Sequence, residues 1–261
     1  MTQIRYILAD PAGNITAMVT SPFFEAEYVS VSQKLMGAVP QVEQVGFITP
    51  PVQGALGRLN MAGGEFCGNA ARCFGLYLAR KNNIENGDVL IELSGCNEPI
   101  SVRINGGNSE VGMPLPKEVS ALELPGMPPV PLVTFPGITH AILKDIAADE
   151  TIVNAVKRAV YSQGDPDALG ILFWKNDRLT PVVYVKQTGT QVYEGSCGSG
   201  TAALGVCLTQ DMETGEKSLC IQQPMGELTV TVKKEGARVV GLRIGGAVQL
   251  LDEKTVDEMP V

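Results

Sequence analysis

Short apolar runs bounded by turn residues recur along this chain. Val89-Leu90-Ile91-Glu92-Leu93 and Ile100-Ser101-Val102-Arg103-Ile104 alternate or are β-branched, which predicts strands. Leu219-Cys220-Ile221 and Leu228-Thr229-Val230-Thr231-Val232 follow the same pattern. Gly106-Gly107 and Lys234-Glu235-Gly236 come after these runs and predict hairpin turns. Ahead of each pair of strands lies a run rich in Ala and Leu that opens at a Cys-Gly, which predicts a helix.

The two helical runs are copies of one another. Cys67-Gly68-Asn69-Ala70-Ala71-Arg72-Cys73-Phe74-Gly75-Leu76-Tyr77-Leu78 returns as Cys197-Gly198-Ser199-Gly200-Thr201-Ala202-Ala203-Leu204-Gly205-Val206-Cys207-Leu208. Cys, Gly, the later Gly and the final Leu are identical, and the offset of 130 positions is half of the 261-residue chain. Each half therefore predicts strands, a helix opening at Cys-Gly, then more strands. The segment 115–136 carries Pro116, Pro125, Pro128, Pro129, Pro131 and Pro136 and is expected to connect the halves. The expectation is an α+β fold of two similar lobes, 1–117 and 118–261, related by a pseudo-twofold axis.

Composition narrows the function. Apolar residues make up 44% of the chain, enough to fill a core, and the net charge of −8 argues against nucleic acid or an anionic membrane as partner. No stretch approaches the ~18 apolar residues of a membrane span. Met1 to Asp10 has no basic segment followed by a long apolar one, so a cytoplasmic location is expected. The six cysteines form no Cys-x-x-Cys pair and His140 is the single histidine, which points away from a structural metal site. A large chain of this kind does not need a disulfide scaffold. No glycine-rich phosphate loop is present, and nothing points to a pyridoxal lysine, so no cofactor is expected.

The paired cysteines suggest a chemistry. A helix N-terminus carries free N–H groups and partial positive charge, so it can lower a thiol's pKa and hold a carboxylate. Asn69 and Ser199 suit a cap or first turn. With the two helix starts face to face, Gly68, Asn69, Gly198 and Ser199 would grip an amino acid's carboxylate. Cys67 and Cys197 would flank its Cα. One thiolate would remove the Cα proton while the opposite thiol delivers another, inverting the centre. Cys73, Cys207 and Cys220 read as ordinary small hydrophobes, and Cys96 lies in a turn. Glu65 and Glu194 are suited to supporting the helix N-termini.

Glu65-Phe66-Cys67-Gly68-Asn69-Ala70 and Ser196-Cys197-Gly198-Ser199-Gly200-Thr201 resemble the two cysteine motifs of the diaminopimelate epimerase family of pyridoxal-independent racemases. The resemblance covers nearly the whole chain. It implies a β-barrel-like sheet around a central helix in each lobe. It also implies substrate contacts from Gly13-Asn14, Glu43-Gln44 and His140, and by analogy a homodimer. The residues that read the distal end of diaminopimelate are replaced by Ile138, Ala168 and Gln187-Thr188-Gly189. Asp10-Pro11-Ala12-Gly13-Asn14, Glu43-Gln44-Val45-Gly46-Phe47, Leu93-Ser94-Gly95-Cys96 and Glu194-Gly195-Ser196-Cys197-Gly198-Ser199-Gly200 are similar to the histidine racemase branch, which makes D-histidine for opine-type metallophores. There the glutamate matching Glu43 meets the substrate side chain. The expected reaction is L-histidine to D-histidine. The alternatives are racemisation of another basic amino acid or of diaminopimelate, a non-catalytic amino-acid-binding protein, and a redox protein with a Cys67–Cys197 disulfide. Asn14, His140 and Glu43 each have an ordinary structural reading too: a turn residue, a satisfied histidine and a surface glutamate.

Overall fold

The computed structural model describes residues Gln3–Asp257; residues 1–2 and 258–261, at which the expected lobes begin and end, lie outside the described residues. Contacts divide the chain into two units. The first runs to Gly112 and resumes at Gly245; the second is Met113–Ile244.

The first unit holds β1 (Gln3–Asp10), β2 (Thr16–Val19), α1 (Tyr28–Ala38), β3 (Gln44–Thr49), β4 (Arg58–Met61), α2 (Gly68–Lys81), β5 (Asn86–Leu93), β6 (Ile100–Asn105) and β7 (Asn108–Gly112). The second holds β8 (Glu118–Leu122), β9 (Val130–Phe135), β10 (Ile138–Lys144), α3 (Glu150–Gln163), β11 (Ala168–Lys175), β12 (Arg178–Val185), β13 (Thr190–Tyr193), α4 (Gly198–Leu208), β14 (Gly215–Gln223) and β15 (Gly226–Glu235). The chain returns to the first unit within β16 (Arg238–Ala247) and ends in β17 (Gln249–Asp257).

The same order of pairings is run twice. In the first unit β1–β2 is antiparallel, β2–β3 parallel, β3–β4 antiparallel, β4–β5 parallel and β5–β6 antiparallel. In the second, β9–β10, β10–β11, β11–β12, β12–β14 and β14–β15 repeat that series. A parallel pair needs a crossover, and each one here is made by a helix. α1 and α3 serve the first parallel pair of each unit, α2 and α4 the second. The result is an α+β fold of mixed sheet with few helices.

α2 and α4 are buried along nearly their whole length; α4 is uncharged on every side, as a buried helix usually is, whereas α2 takes Asn69 and Arg72 into the interior with it. Their shared glycine has a physical reason. A Cβ at Gly75 would lie 2.6 Å from Val102, and one at Gly205 would lie 2.6 Å from Val230. Each helix thus packs backbone-close on a strand. α3 is one-sided instead, burying Val153, Val156 and Val160 beneath Asp149, which caps it through the amides of Thr151 and Ile152.

Two expectations meet a different structure. The proline-rich segment 115–136 contains a strand pair, with Leu122 opposite Val130 and Ala121 opposite Pro131. Pro125, Pro128 and Pro129 fall in the loop between these strands. Pro131 lies beyond Leu132, the last residue of β9 matched to β10, so its missing N–H costs no bond there. The expected boundary after residue 117 compares with Gly112, and the C-terminal segment does not stay with the second unit. β17 pairs antiparallel with β1, from Gln3 opposite Asp257 to Asp10 opposite Gln249. That pairing satisfies the backbone edge of β1 that β2 leaves open. No helix among the described residues is long and apolar enough to cross a membrane.

Candidate active site

Cys67 is itself the N-cap of α2, and Cys197 of α4. Their backbones are extended, at φ −131°, ψ 114° and φ −128°, ψ 112°. Each sulfur accepts the third amide of its helix, Ala70 N at 3.4 Å and Gly200 N at 3.3 Å. Gly68 and Gly198 are the first helical residues. Asn69 and Ser199, expected as cap or first-turn residues, occupy the first turn and point their side chains elsewhere.

In the first unit that elsewhere is an amide chain. Asn69 Nδ2 donates to Asn14 Oδ1 at 3.4 Å, and Gln44 Nε2 donates to the same oxygen at 2.9 Å and to Thr16 Oγ1 at 2.7 Å. Glu43 accepts from Asn14 N at 3.1 Å and from Asn14 Nδ2 at 3.4 Å. Asn14 is thereby held at φ +58°, after Ala12 at φ +78° and Gly13 at φ +91°. Such backbone in non-glycine residues persists only where surroundings enforce it. Here Asp10 Oδ1 accepts from Gly13 N at 2.7 Å and Glu43 secures the far end.

A second clamp holds the approach to Cys67. Ser94 Oγ accepts from Met61 N at 2.8 Å and donates to Glu65 O at 3.0 Å. Gly95, at φ +76°, passes so close that a Cβ there would lie 2.4 Å from Phe66 N.

In the second unit His140 Nε2 meets Ser199 Oγ at 3.0 Å, and Ser199 Oγ lies 3.6 Å from Cys197 Sγ. The Cys197 backbone is pinned by a closed loop of bonds: Cys197 N to Gln223 Oε1 (2.8 Å), Gln223 Nε2 to Thr201 Oγ1 (2.8 Å), and Thr201 Oγ1 to Cys197 O (2.6 Å). His140 is fully buried, and its Nδ1 has no protein partner. Burial pushes its pKa down to about 3, so the ring is neutral.

The expectation of low thiol pKa values is overturned. Burial, the largest effect, pushes Cys67 up to about 11, although the amide of Ala70 and the side chain of Gln44 favour its thiolate. Cys197 is also pushed well above its ordinary value, first by burial and then by the charge of Glu194, which also accepts its proton in a hydrogen bond. One or two amide bonds at a helix start do not offset loss of solvent around a sulfur. Glu194, and by charge Glu65, thus act on the thiols and not only on the helix ends.

The predicted residues gather into two sets. Asn14, Glu43, Gln44 and Asn69 join at Cys67; His140 and Ser199 join at Cys197. Cys73 touches the first set through a hydrogen bond with Thr16, while Cys96, Cys207 and the exposed Cys220 take no part in these bonds. Among the described residues no group of three His, Cys, Asp or Glu is placed to hold a metal ion.

The family described as histidine racemase CntK, N-terminal domain, matches residues 3–256 of this chain. The chain belongs to that family. A histidine racemase of Fusobacterium nucleatum subsp. nucleatum is 33% identical over 268 residues, covering 97% of each chain. Among solved structures, a phenazine biosynthesis PhzF-family protein from Enterococcus faecalis has a TM-score of 0.67 at 14% identity, over 98% of this chain and 100% of the other. A hydroxyproline epimerase from Agrobacterium vitis, with bound trans-4-hydroxy-L-proline, has a TM-score of 0.68 at 12% identity, over 98% and 91%. At those identities the likeness is one of fold.

In this member of the histidine racemase family, some residues that shape the site carry no sequence signal. Gln223 reaches Cys197 from β14, and Gly170 lies opposite His140 in the register of β10 and β11 and leaves room for its ring; nothing in their local pattern singles them out. Arg72 is different: it stands inside the first cysteine motif, where the second has Ala202, and that mismatch was visible in the repeat.

Proposed function

We propose that this protein is a cofactor-independent histidine racemase that interconverts L- and D-histidine with Cys67 and Cys197 as its two proton-transfer groups. The observation that carries the reading is membership, over nearly the whole chain, of the family described as histidine racemase. The two units are read as two copies of one lobe, as in diaminopimelate epimerase-like folds, each contributing one cysteine at the start of its buried helix.

In this reading one thiolate removes the Cα proton and the other thiol protonates the opposite face. Acid and base are the same kind of residue, as a reaction that runs both ways requires. The first-turn amides at Gly68, Asn69, Gly198 and Ser199 bind the carboxylate and stabilise charge that develops on it. Burial keeps water from Cys197, a bound substrate would cover the partly exposed Cys67, and its ammonium favours the thiolate that burial disfavours. Glu43, exposed and fixed against Asn14, is the group for an imidazole, through a charge-assisted hydrogen bond. Ile138 and Ala168 are neighbours in register at the starts of β10 and β11, and neither offers a partner for a second carboxylate. That favours histidine over diaminopimelate.

The test is incubation of reduced protein with single L-amino acids, including diaminopimelate, in D2O. Chiral chromatography reads D-product and mass spectrometry reads deuterium at Cα. Histidine is expected to racemise with deuterium uptake, and Cys67→Ser and Cys197→Ser each to abolish net inversion. Neither inversion nor exchange with any substrate would overturn the reading.

A further inference from the structure

Arg72 lies on the second turn of α2 and is fully buried. Helical side chains lean toward the N-terminus, and its guanidinium reaches back to the turn that Cys67 caps. Nη1 donates to Asn69 Oδ1 at 3.2 Å, Nε to Ser109 O at 3.0 Å and Nη2 to Ala247 O at 3.2 Å. All three acceptors are neutral, and among the described residues no carboxylate pairs with this cation. A buried charge without a counter-charge is costly.

The repeat says that packing does not demand it. Where α2 has Arg72, α4 has Ala202, and α4 carries no charge from Gly198 to Leu208 yet is buried just as deeply. The charge therefore belongs to what differs between the helices. The groups whose ionisation would bear on the Arg72 charge are Cys73 first and Cys67 second. Burial lowers Arg72 only to about 10, so it remains a cation at neutral pH. Of the two cysteines, Cys67 is the partly exposed one, and Cys73 is sealed inside the helix packing.

We infer that Arg72 is a positioning residue of the racemase: buried behind the first turn of α2, it holds Asn69 and through it the Asn69–Asn14–Gln44 amide chain beside Cys67. The inference rests on the reading of Cys67 as a proton acceptor. That amide chain makes the two otherwise similar cysteines unequal. Gln44 and Asn69, members of that chain, favour negative charge on Cys67, whereas Cys197 has the Glu194 carboxylate, which favours the protonated thiol. The other ionisable groups around Cys67 are Glu65 in its own loop and Cys73 on α2, and Asp10 at the end of β1 acts on Cys73.

The experiment is iodoacetamide alkylation from pH 7 to 10 of wild type, Arg72→Met and Arg72→Lys, with each site read by peptide mass spectrometry. Cys197 is the control in the same molecule. At a given pH the Met variant is expected to alkylate Cys67 at least about tenfold more slowly than wild type, and the Lys variant within about threefold of it, with Cys197 unchanged. Equal Cys67 rates in wild type and the Met variant overturn the inference. So does a Lys variant as slow as the Met variant. If the Met variant does not fold, wild type labelled with 15Nε-arginine decides. The Arg72 Nε–H resonance should shift with Cys67 ionisation, and that step should vanish in Cys67→Ala; a step that persists there overturns the inference. None of these readouts needs turnover. A wild type that fails to racemise any amino acid would sink the functional reading and leave the Arg72 test intact.

Discussion

His140 and Gly170 stand side by side in the parallel register of β10 and β11, and a Cβ on Gly170 would lie 2.0 Å from His140 Nδ1. Only glycine leaves room for the imidazole at that register position. The ring is fixed from the other side by Ser199, so its place depends on one absent methyl group and one hydroxyl.

Gly170→Ala is therefore expected to displace His140 and release Ser199 from it. Overpacking of a closed core costs about 1–3 kcal/mol, and a reacting group misplaced by ~1 Å costs about a hundredfold in rate. Thermal unfolding and racemisation rate together check this. A variant with wild-type melting temperature and rate would show that the strands absorb the methyl and that the ring position is not critical.

Burial of a neutral His140 also makes stability pH-dependent, and the sign follows from linkage. Its folded pKa is depressed to about 3, below the ordinary unfolded value of about 6.5. Above pH 6.5 both states hold a neutral ring and nothing is lost. As pH falls below 6.5 only the unfolded chain takes up the proton, so stability declines until about pH 3. By pH 5 the loss is about 2 kcal/mol. Urea unfolding at pH 7.5 and pH 5.0 should show that loss in wild type and a clearly smaller one in His140→Gln. Equal losses in the two proteins would exclude His140 as the cause.

What was legible in the sequence was what repeats locally. The Cys-Gly helix starts, the glycines at 75 and 205 and the strands around them all stand at fixed short spacings, and the reason for those glycines is the valine each helix packs against. Contacts set by register between distant strands were not legible. Gly170 is an unremarkable residue until β11 is laid beside His140, and Gln223 until β14 is placed behind Cys197. The return of β17 to β1 and the strands within the proline-rich segment belong to the same class. The thiol pKa values depart from the local pattern for a different reason. The helix-start rule is local, and the burial that outweighs it is a property of the folded unit.

That balance has a measurable consequence for Cys67. If burial wins over the helix N-terminus, the thiolate is a minor species at neutral pH and grows until about pH 11. Alkylation of Cys67 by iodoacetamide should then rise about tenfold per pH unit between pH 7 and 10. A rate already level at pH 7 would mean that the helix amides and Gln44 together overcome desolvation. Cys197, held as a thiol by Glu194, should react more slowly at every pH in that range.

Glu43 joins the backbone of the strained loop at Asn14 to the solvent-facing edge of the same cluster. Its two expected roles separate by substitution. Glu43→Gln keeps an oxygen for Asn14 N and removes the charge that would orient an imidazole. Its KM for histidine should rise about tenfold or more, with a smaller change in kcat, because a charge-assisted bond is about twice as strong as a neutral one. Glu43→Ala removes both contacts to Asn14 and should lower kcat as well, since the Asn14–Gln44 pair beside Cys67 loses its anchor. Steady-state racemisation of both variants decides between the roles. A Gln variant with unchanged KM would leave Glu43 as an anchor for Asn14 alone, and recognition of the substrate side chain would have to come from other residues.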